Sequence, residues 1–179
     1  KALSHKPDYA AVHYNLGNVF RELGRFDDAI GSYEKALNFK SSYAEAHNNL
    51  GVVFQELKRL DEAVSNFEKA IEINADYPEA LNNLGIVFQD LDKIDDALAS
   101  CEKAIELDPS YAEAYNNRGS ILEKMGKSDE AITSYQKALS IKPDYAEAYN
   151  NIGITYRDLG KMDEALVSKI FILAPPLTI

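Results

Sequence analysis

The chain has 179 residues, a formal net charge of −10, 46% hydrophobic and 27% charged residues, and one cysteine. That balance predicts an ordinary soluble protein and argues against nucleic acid, which wants a basic stripe, and against anionic membrane surfaces. Basic partners are favoured, through steering more than through affinity. Cys101 alone supports no internal disulfide framework. No stretch approaches the ~18 apolar residues of a membrane helix, and residues 1–9, KALSHKPDY, lack the apolar run of a signal peptide.

A period runs through the whole chain. Gly17, Gly51, Gly85, Gly119 and Gly153 are each 34 residues apart, and Ala29, Ala63, Ala97, Ala131 and Ala165 keep the same step. So do Tyr9, Tyr43, Tyr77, Tyr111 and Tyr145. A fixed period of this size predicts units that bury their apolar faces against their neighbours. In chain order, residues 1–9 read as the remnant of a preceding unit, because Lys1-Ala2-Leu3 matches Lys35-Ala36-Leu37. Five units follow, over 10–43, 44–77, 78–111, 112–145 and 146–179, expected as one continuous domain. The first four depart from the pattern only mildly. The fifth is degenerate after Ser168: Lys169 takes an aromatic slot, Ile170-Phe171-Ile172-Leu173 is apolar where a polar cap is expected, and Pro175-Pro176 stops any helix.

Each unit reads as a helix–turn–helix hairpin. In 112–145, Ala114, Tyr115, Ile121, Leu122 and Met125 recur at helical spacing, as do Ala131, Ile132, Tyr135, Ala138 and Leu139. Gly126 between the runs suits a helix C-terminus, Asp129 and Glu130 suit the next first turn, and Pro143 closes the second helix. Small residues such as Gly119, Ala131 and Ala138 let the two helices approach closely. Lys58 and Asp92 stand where the other units have a turn glycine, Cys101 stands where Tyr33, Phe67 and Tyr135 stand, and Arg118 replaces Leu16, Leu50 and Leu84.

These glycines, alanines, aromatics and prolines at a 34-residue period resemble the tetratricopeptide repeat over the whole chain. The resemblance implies an all-α, right-handed solenoid of hairpins whose first helices line a concave groove. It further implies that positions 2, 5, 6, 9, 12 and 13 of each unit face that groove. Position 6 is Asn15, Asn49, Asn83, Asn117 and Asn151, and position 5 is Tyr14 followed by Asn48, Asn82, Asn116 and Asn150. An asparagine amide both donates and accepts, so a row of them suits the backbone of an extended peptide. The repeat arms of O-GlcNAc transferases are similar in using such a ladder. Two adjacent asparagines are mediocre helix formers with no packing reason in the sequence, which strengthens the binding reading. The bland alternative is a family choice that supports the fold.

Glu45, Glu79, Glu113 and Glu147 at position 2 suit either groove selectivity or first-turn dipole stabilisation. Chaperone-binding relatives clamp a carboxylate with basic residues; here Tyr14, Glu79 and Asn83 stand in those places. His13 and His47 read as packing residues and Cys101 as an inert thiol. No metal-spaced cluster, phosphate loop or nucleophile–base pair appears, so neither cofactor, metal nor catalysis is expected. The expectation is a cytoplasmic protein-interaction module that takes a basic or neutral peptide segment, with possible self-association through the terminal repeats. The rivals are a structural spacer with an empty groove and the substrate-recruiting arm of a larger enzyme such as a glycosyltransferase.

Overall fold

The computed structural model describes residues 9–166; the expectations for the preceding remnant and for the apolar run after Ser168 lie outside them. Nine helices have defined bounds among the described residues: α1 Tyr9–Glu22, α2 Phe26–Phe39, α3 Ala44–Glu56, α4 Leu60–Ile73, α5 Pro78–Asp90, α6 Ile94–Leu107, α7 Ala112–Lys124, α8 Ser128–Ile141 and α9 Ala146–Asp158. Residues 162–166 begin a further helix. Contacts divide the chain into a first unit ending at Val87 and a second beginning at Phe88, a boundary that falls within α5.

Within each hairpin the turn is built the same way. The amide of Arg25 donates to the Phe20 carbonyl, Arg59 to Phe54, Lys93 to Phe88, Lys127 to Leu122 and Lys161 to Tyr156, at 2.8–2.9 Å. These six-to-one bonds satisfy helix-end carbonyls and need a left-handed residue just before the donor. Gly24, Gly126 and Gly160 supply it at φ of 68–75°. Lys58 and Asp92 adopt it too, at φ 58° and 59°. The basic donor residue then lies over the ring it has just capped: Arg25 over Phe20 at 4.6 Å, Arg59 over Phe54 at 4.5 Å and Lys93 over Phe88 at 5.6 Å.

The first unit is organised around rings seated on glycines. A Cβ added to Gly17 would lie 2.6 Å from the Tyr33 ring, and one on Gly51 2.8 Å from the Phe67 ring. Both rings are fully buried, as are Ala29, Ala36, Ala46, Val53, Ala63 and Ala70. The second unit repeats the arrangement with Gly119, where the distance to Tyr135 would be 2.5 Å. Tyr135 also packs with Leu122, Ala131, Ile132 and Ile152, so its ring joins α7, α8 and α9. Ile121 packs on Ala97 and Cys101. Arg118 departs from leucine because it has polar company: its Nε reaches Glu102 Oε1 at 3.2 Å and its Nη1 donates to Ser134 Oγ at 2.6 Å.

This packing sets opposite signs for two glycine substitutions. Gly119→Ala should destabilise by up to about 2 kcal/mol, because overpacking against a buried ring costs ~1–3 kcal/mol against the ~1 kcal/mol helix gain of alanine. Gly31→Ala, in α2 with nothing within 4 Å of the added carbon, should stabilise by ~0.5–1 kcal/mol. Urea unfolding of the two variants should therefore move in opposite directions.

A separate expectation concerns alkali. Burial pushes the Cys101 thiol up to about 12 and the Tyr33 phenol up to about 12, and raises Tyr135 and Tyr145, with Glu123 and Glu147 adding to it. The unfolded chain releases these protons near the ordinary values of 9.0 and 10.0, while the folded chain still holds them. The unfolded state thus binds fewer protons, and stability falls as pH rises. Urea midpoints should hold up to about pH 9 and drop between about pH 9 and 12; a flat profile there would contradict the burial of these groups.

Candidate functional site

The two asparagine rows lie on the first helix of each hairpin, and their burial differs. Asn48, Asn82 and Asn116 at the fifth position are buried, whereas Asn49, Asn83, Asn117 and Asn151 at the sixth are part-exposed and Asn15 is exposed. Asn150 is also exposed.

Hydrogen bonds link the rows across consecutive hairpins. Asn83 Nδ2 donates to Asn48 Oδ1 at 3.1 Å, and Asn151 Nδ2 donates to Asn116 Oδ1 at 3.0 Å. At the start of the chain, Tyr14 takes the place of the fifth-position asparagine, and Asn49 Nδ2 donates to its hydroxyl at 3.1 Å. In these three pairs the sixth position of one repeat donates to the fifth position of the repeat before it. This supplies the packing reason that the sequence lacked: the fifth-position amide is a buried latch acceptor, and burying an amide is tolerated because it is bonded.

The latch has further members. In the first unit, Asn49 Nδ2 also donates to Asn18 Oδ1 at 2.8 Å, which in turn accepts the Tyr33 hydroxyl at 2.7 Å. Asn48 Nδ2 donates to Asn49 Oδ1 at 3.2 Å. With two donations and one acceptance, the Asn49 amide keeps little beyond oxygen lone-pair capacity for anything else. In the second unit, Asn116 Nδ2 donates to Glu147 Oε1 at 3.0 Å. Glu123 accepts from the hydroxyls of Tyr135, at 3.3 Å, and Thr155. Gln89 Nε2 donates to Ser120 Oγ at 3.0 Å. Asn18, Gln89, Ser120, Glu123 and Thr155 join this network although sequence reasoning did not assign them to the site. The constant 35-residue offset of the Asn48–Asn83 and Asn116–Asn151 pairs was the available signal.

The second-position glutamates do not act alike. Glu45 and Glu79 are exposed, Glu113 pairs with Lys142 Nζ at 3.1 Å, and Glu147 belongs to the latch. Of the basic residues at positions 12 and 13 of the repeats, Arg157 pairs with Asp158 at 2.8 Å, and Lys124 Nζ approaches the Gln89 carbonyl at 3.4 Å. His47 Nδ1 hydrogen-bonds with Asn66 Oδ1 at 3.0 Å, and His13 stacks on Phe39 with ring centroids 5.7 Å apart. A cleft of about 360 Å³, lined by Ser41, Ser42, His47, Lys69, Glu72 and Ile73, contains none of the asparagines. No helix among the described residues is long and apolar enough to cross a membrane.

Comparison with known proteins is consistent with this architecture. Family models described as TPR repeat match residues 17–58 and 124–160, and models described as tetratricopeptide repeat match 42–110 and 100–133. No curated protein sequence matches. Among solved structures, a crystal structure of MamA is 32% identical, covering 88% of this chain and 92% of that one, with a TM-score of 0.76. A structure of YrrB, described as a TPR protein with an unusual peptide-binding site, is 28% identical over 98% of this chain and 92% of that one, TM-score 0.71. TTC0263, a thermophilic TPR protein of Thermus thermophilus, shares the fold at 24% identity, over 94% and 93% of the two chains, with a TM-score of 0.79.

The latch makes a testable distinction between two asparagines at the same repeat position. Asn116→Ala removes a buried acceptor and leaves Asn151 unsatisfied, and should cost about 1–3 kcal/mol in urea unfolding. Asn150→Ala, at an exposed site, should stay within about ±0.5 kcal/mol. A double-mutant cycle of Asn116→Ala with Asn151→Ala should return a coupling of at least ~0.5 kcal/mol.

Proposed function

The chain belongs to the tetratricopeptide-repeat family, and on that footing we propose that it is a protein-interaction module which holds an extended peptide against the sixth-position asparagines. The observation that carries this reading is the difference in burial between the two rows. The buried fifth-position amides hold the neighbouring sixth-position amides in fixed orientation, and a preoriented polar group loses less entropy when a ligand binds it. Asn49 commits both amide hydrogens to the preceding repeat, and Asn83 and Asn151 commit one each, so the side-chain oxygens of this row can serve a ligand without breaking the latch. Oxygen acceptors beside Glu45 and Glu79 suit peptide N–H groups and lysine or arginine side chains, and a net charge of −10 acts in the same sense. The peptide-binding site named for YrrB supports a peptide as the ligand class.

The structural reading has its own support, since the latch explains both asparagine rows without any ligand. The role of recruiting arm in a larger enzyme rests on the resemblance alone.

A peptide array of neutral, lysine/arginine-rich and acidic sequences, followed by titration of the best binder, separates the readings. The expected affinity is micromolar, on the order of −8 kcal/mol, weakening as salt rises from about 0.05 to 0.5 M. Replacing Asn49, Asn83 and Asn117 with alanine should weaken binding at least tenfold at a temperature where the variant is folded. Asn48→Ala with Asn116→Ala loosens the latch but keeps the sixth-position amides, and should weaken binding much less. Equal losses in the two variants, or a preference for acidic peptides with a free carboxylate, would sink the proposal.

A further inference from the structure

Two buried hydroxyls hold one carboxylate of the second unit in place. Tyr135, 0% exposed, donates to Glu123 Oε2 at 3.3 Å, and Thr155, 1% exposed, donates to Glu123 Oε1. The tyrosine belongs to α8 and the threonine to α9, while Glu123 is on α7. Both donors are buried, whereas the glutamate itself is half-buried. Each carboxylate oxygen spends one lone pair on its hydroxyl and keeps another. A carboxylate fixed in this way loses little freedom when a further donor reaches it.

The fold supplies no cation to it. Arg118 pairs with Glu102 at 3.2 Å, Lys142 with Glu113 at 3.1 Å and Arg157 with Asp158 at 2.8 Å. Lys124, the next residue in the chain, directs its ammonium to the Gln89 carbonyl at 3.4 Å. Among the described residues Glu123 forms no ion pair. Hydroxyls orient a carboxylate without neutralising it. A cation brought to this group would therefore meet an uncompensated charge, in a half-buried place where salt screens less than at the open surface.

The surroundings narrow the kind of cation. Ile154 precedes Thr155 in α9, lies one helical turn after Asn151 and is 37% exposed. An apolar side chain beside a held acid suits lysine or arginine, whose methylene stem packs while the charged head reaches on. The arrangement also occurs once. The twelfth position is Arg21, Gln55, Gln89 and Arg157 in the other repeats. Asparagines that recur in every repeat offer a peptide backbone the same contact at each step, so they do not choose which residue sits where. One charged contact does.

We infer that Glu123 receives the ammonium or guanidinium group of a single lysine or arginine of the bound peptide, and that this contact fixes the register in which the sixth-position asparagines hold the backbone. The inference rests on the peptide-binding reading above and adds to it the residue that selects. Glu45 and Glu79, both exposed, attract basic peptides without choosing a position; Glu123 chooses.

The test uses the best lysine- or arginine-rich peptide from the array, with each of its basic residues replaced in turn. Norleucine replaces lysine and citrulline replaces arginine, so that the stem stays and the charge goes. Against the full chain, one replacement should weaken binding about tenfold, the scale of a hydrogen bond to a charged group, and the others less than about threefold. Glu123→Gln, checked for helicity by circular dichroism, should weaken the parent peptide about tenfold and should lose nothing further with the peptide neutralised at that one position. Glu106→Gln removes the same charge from an exposed site on α6 and should change affinity less than about threefold. Thr155→Val keeps the carboxylate but removes one of its two holders; it should weaken binding at the same peptide position, and it carries the test if Glu123→Gln does not fold. Basic residues that all count equally, or a Glu123→Gln loss that is the same for every peptide, would overturn the inference. Binding that needs Asn49, Asn83 and Asn117 but ignores Glu123→Gln would overturn it and leave the peptide reading standing. A chain that binds no peptide of the array would overturn both.

Discussion

An aromatic ring pressed onto a residue with no side chain closes the α1–α2, α3–α4 and α7–α8 hairpins. At Gly17, Gly51 and Gly119, a single added carbon would lie 2.5–2.8 Å from the ring across the hairpin. Such an approach is open only to glycine, and it sets the separation of the two helices. Once the separation is set, only alanine fits at Ala29, Ala63, Ala97 and Ala131, all fully buried. The ring also reaches beyond the apolar layer. Tyr33 passes its hydroxyl to Asn18 and Tyr135 passes its hydroxyl to Glu123, so the core contact also positions polar residues of the first helix. Buried donors of this kind need an acceptor, and the acceptor is held by satisfying them.

From that contact the polar order spreads to the next hairpin. Asn18 takes the Tyr33 hydroxyl and the Asn49 amide together, while Glu123 takes Tyr135 and Thr155. The fifth-to-sixth latch runs alongside. Its bonds are directional: Asn49, Asn83 and Asn151 donate to the preceding repeat. A polar network satisfied inside the protein is rigid, and the same rigidity is what a recognition surface needs.

The repeats depart from one another where local packing allows it. Lys58 and Asp92 hold the left-handed turn that glycine holds elsewhere, at a cost that the capping bonds and the ring contacts around them offset. Arg118 takes a leucine position because Glu102 and Ser134 meet its guanidinium. Cys101 takes an aromatic position and remains fully buried, its thiol kept protonated by the absence of water. At Val12, Leu16 and Val19 of α1, by contrast, the residues are apolar although they are exposed.

Local physics was enough to read much of this. The 34-residue period, the hairpin and the turn residues Gly24, Gly126 and Gly160 follow from helical spacing and from glycine's freedom at positive φ, both properties of short stretches of chain. The asparagine rows were visible too, but not their difference. Fifth and sixth positions are adjacent on a helix, and whether Asn48 or Asn49 is buried depends on how the next hairpin lies against it. The same holds for Glu147, an exposed acid that nonetheless accepts from Asn116, and for Leu16, an apolar residue that is 41% exposed. Tertiary structure decided these because burial and hydrogen bonding at 31- and 35-residue offsets are set by the packing of one hairpin on another, and a helical period carries no information about that register.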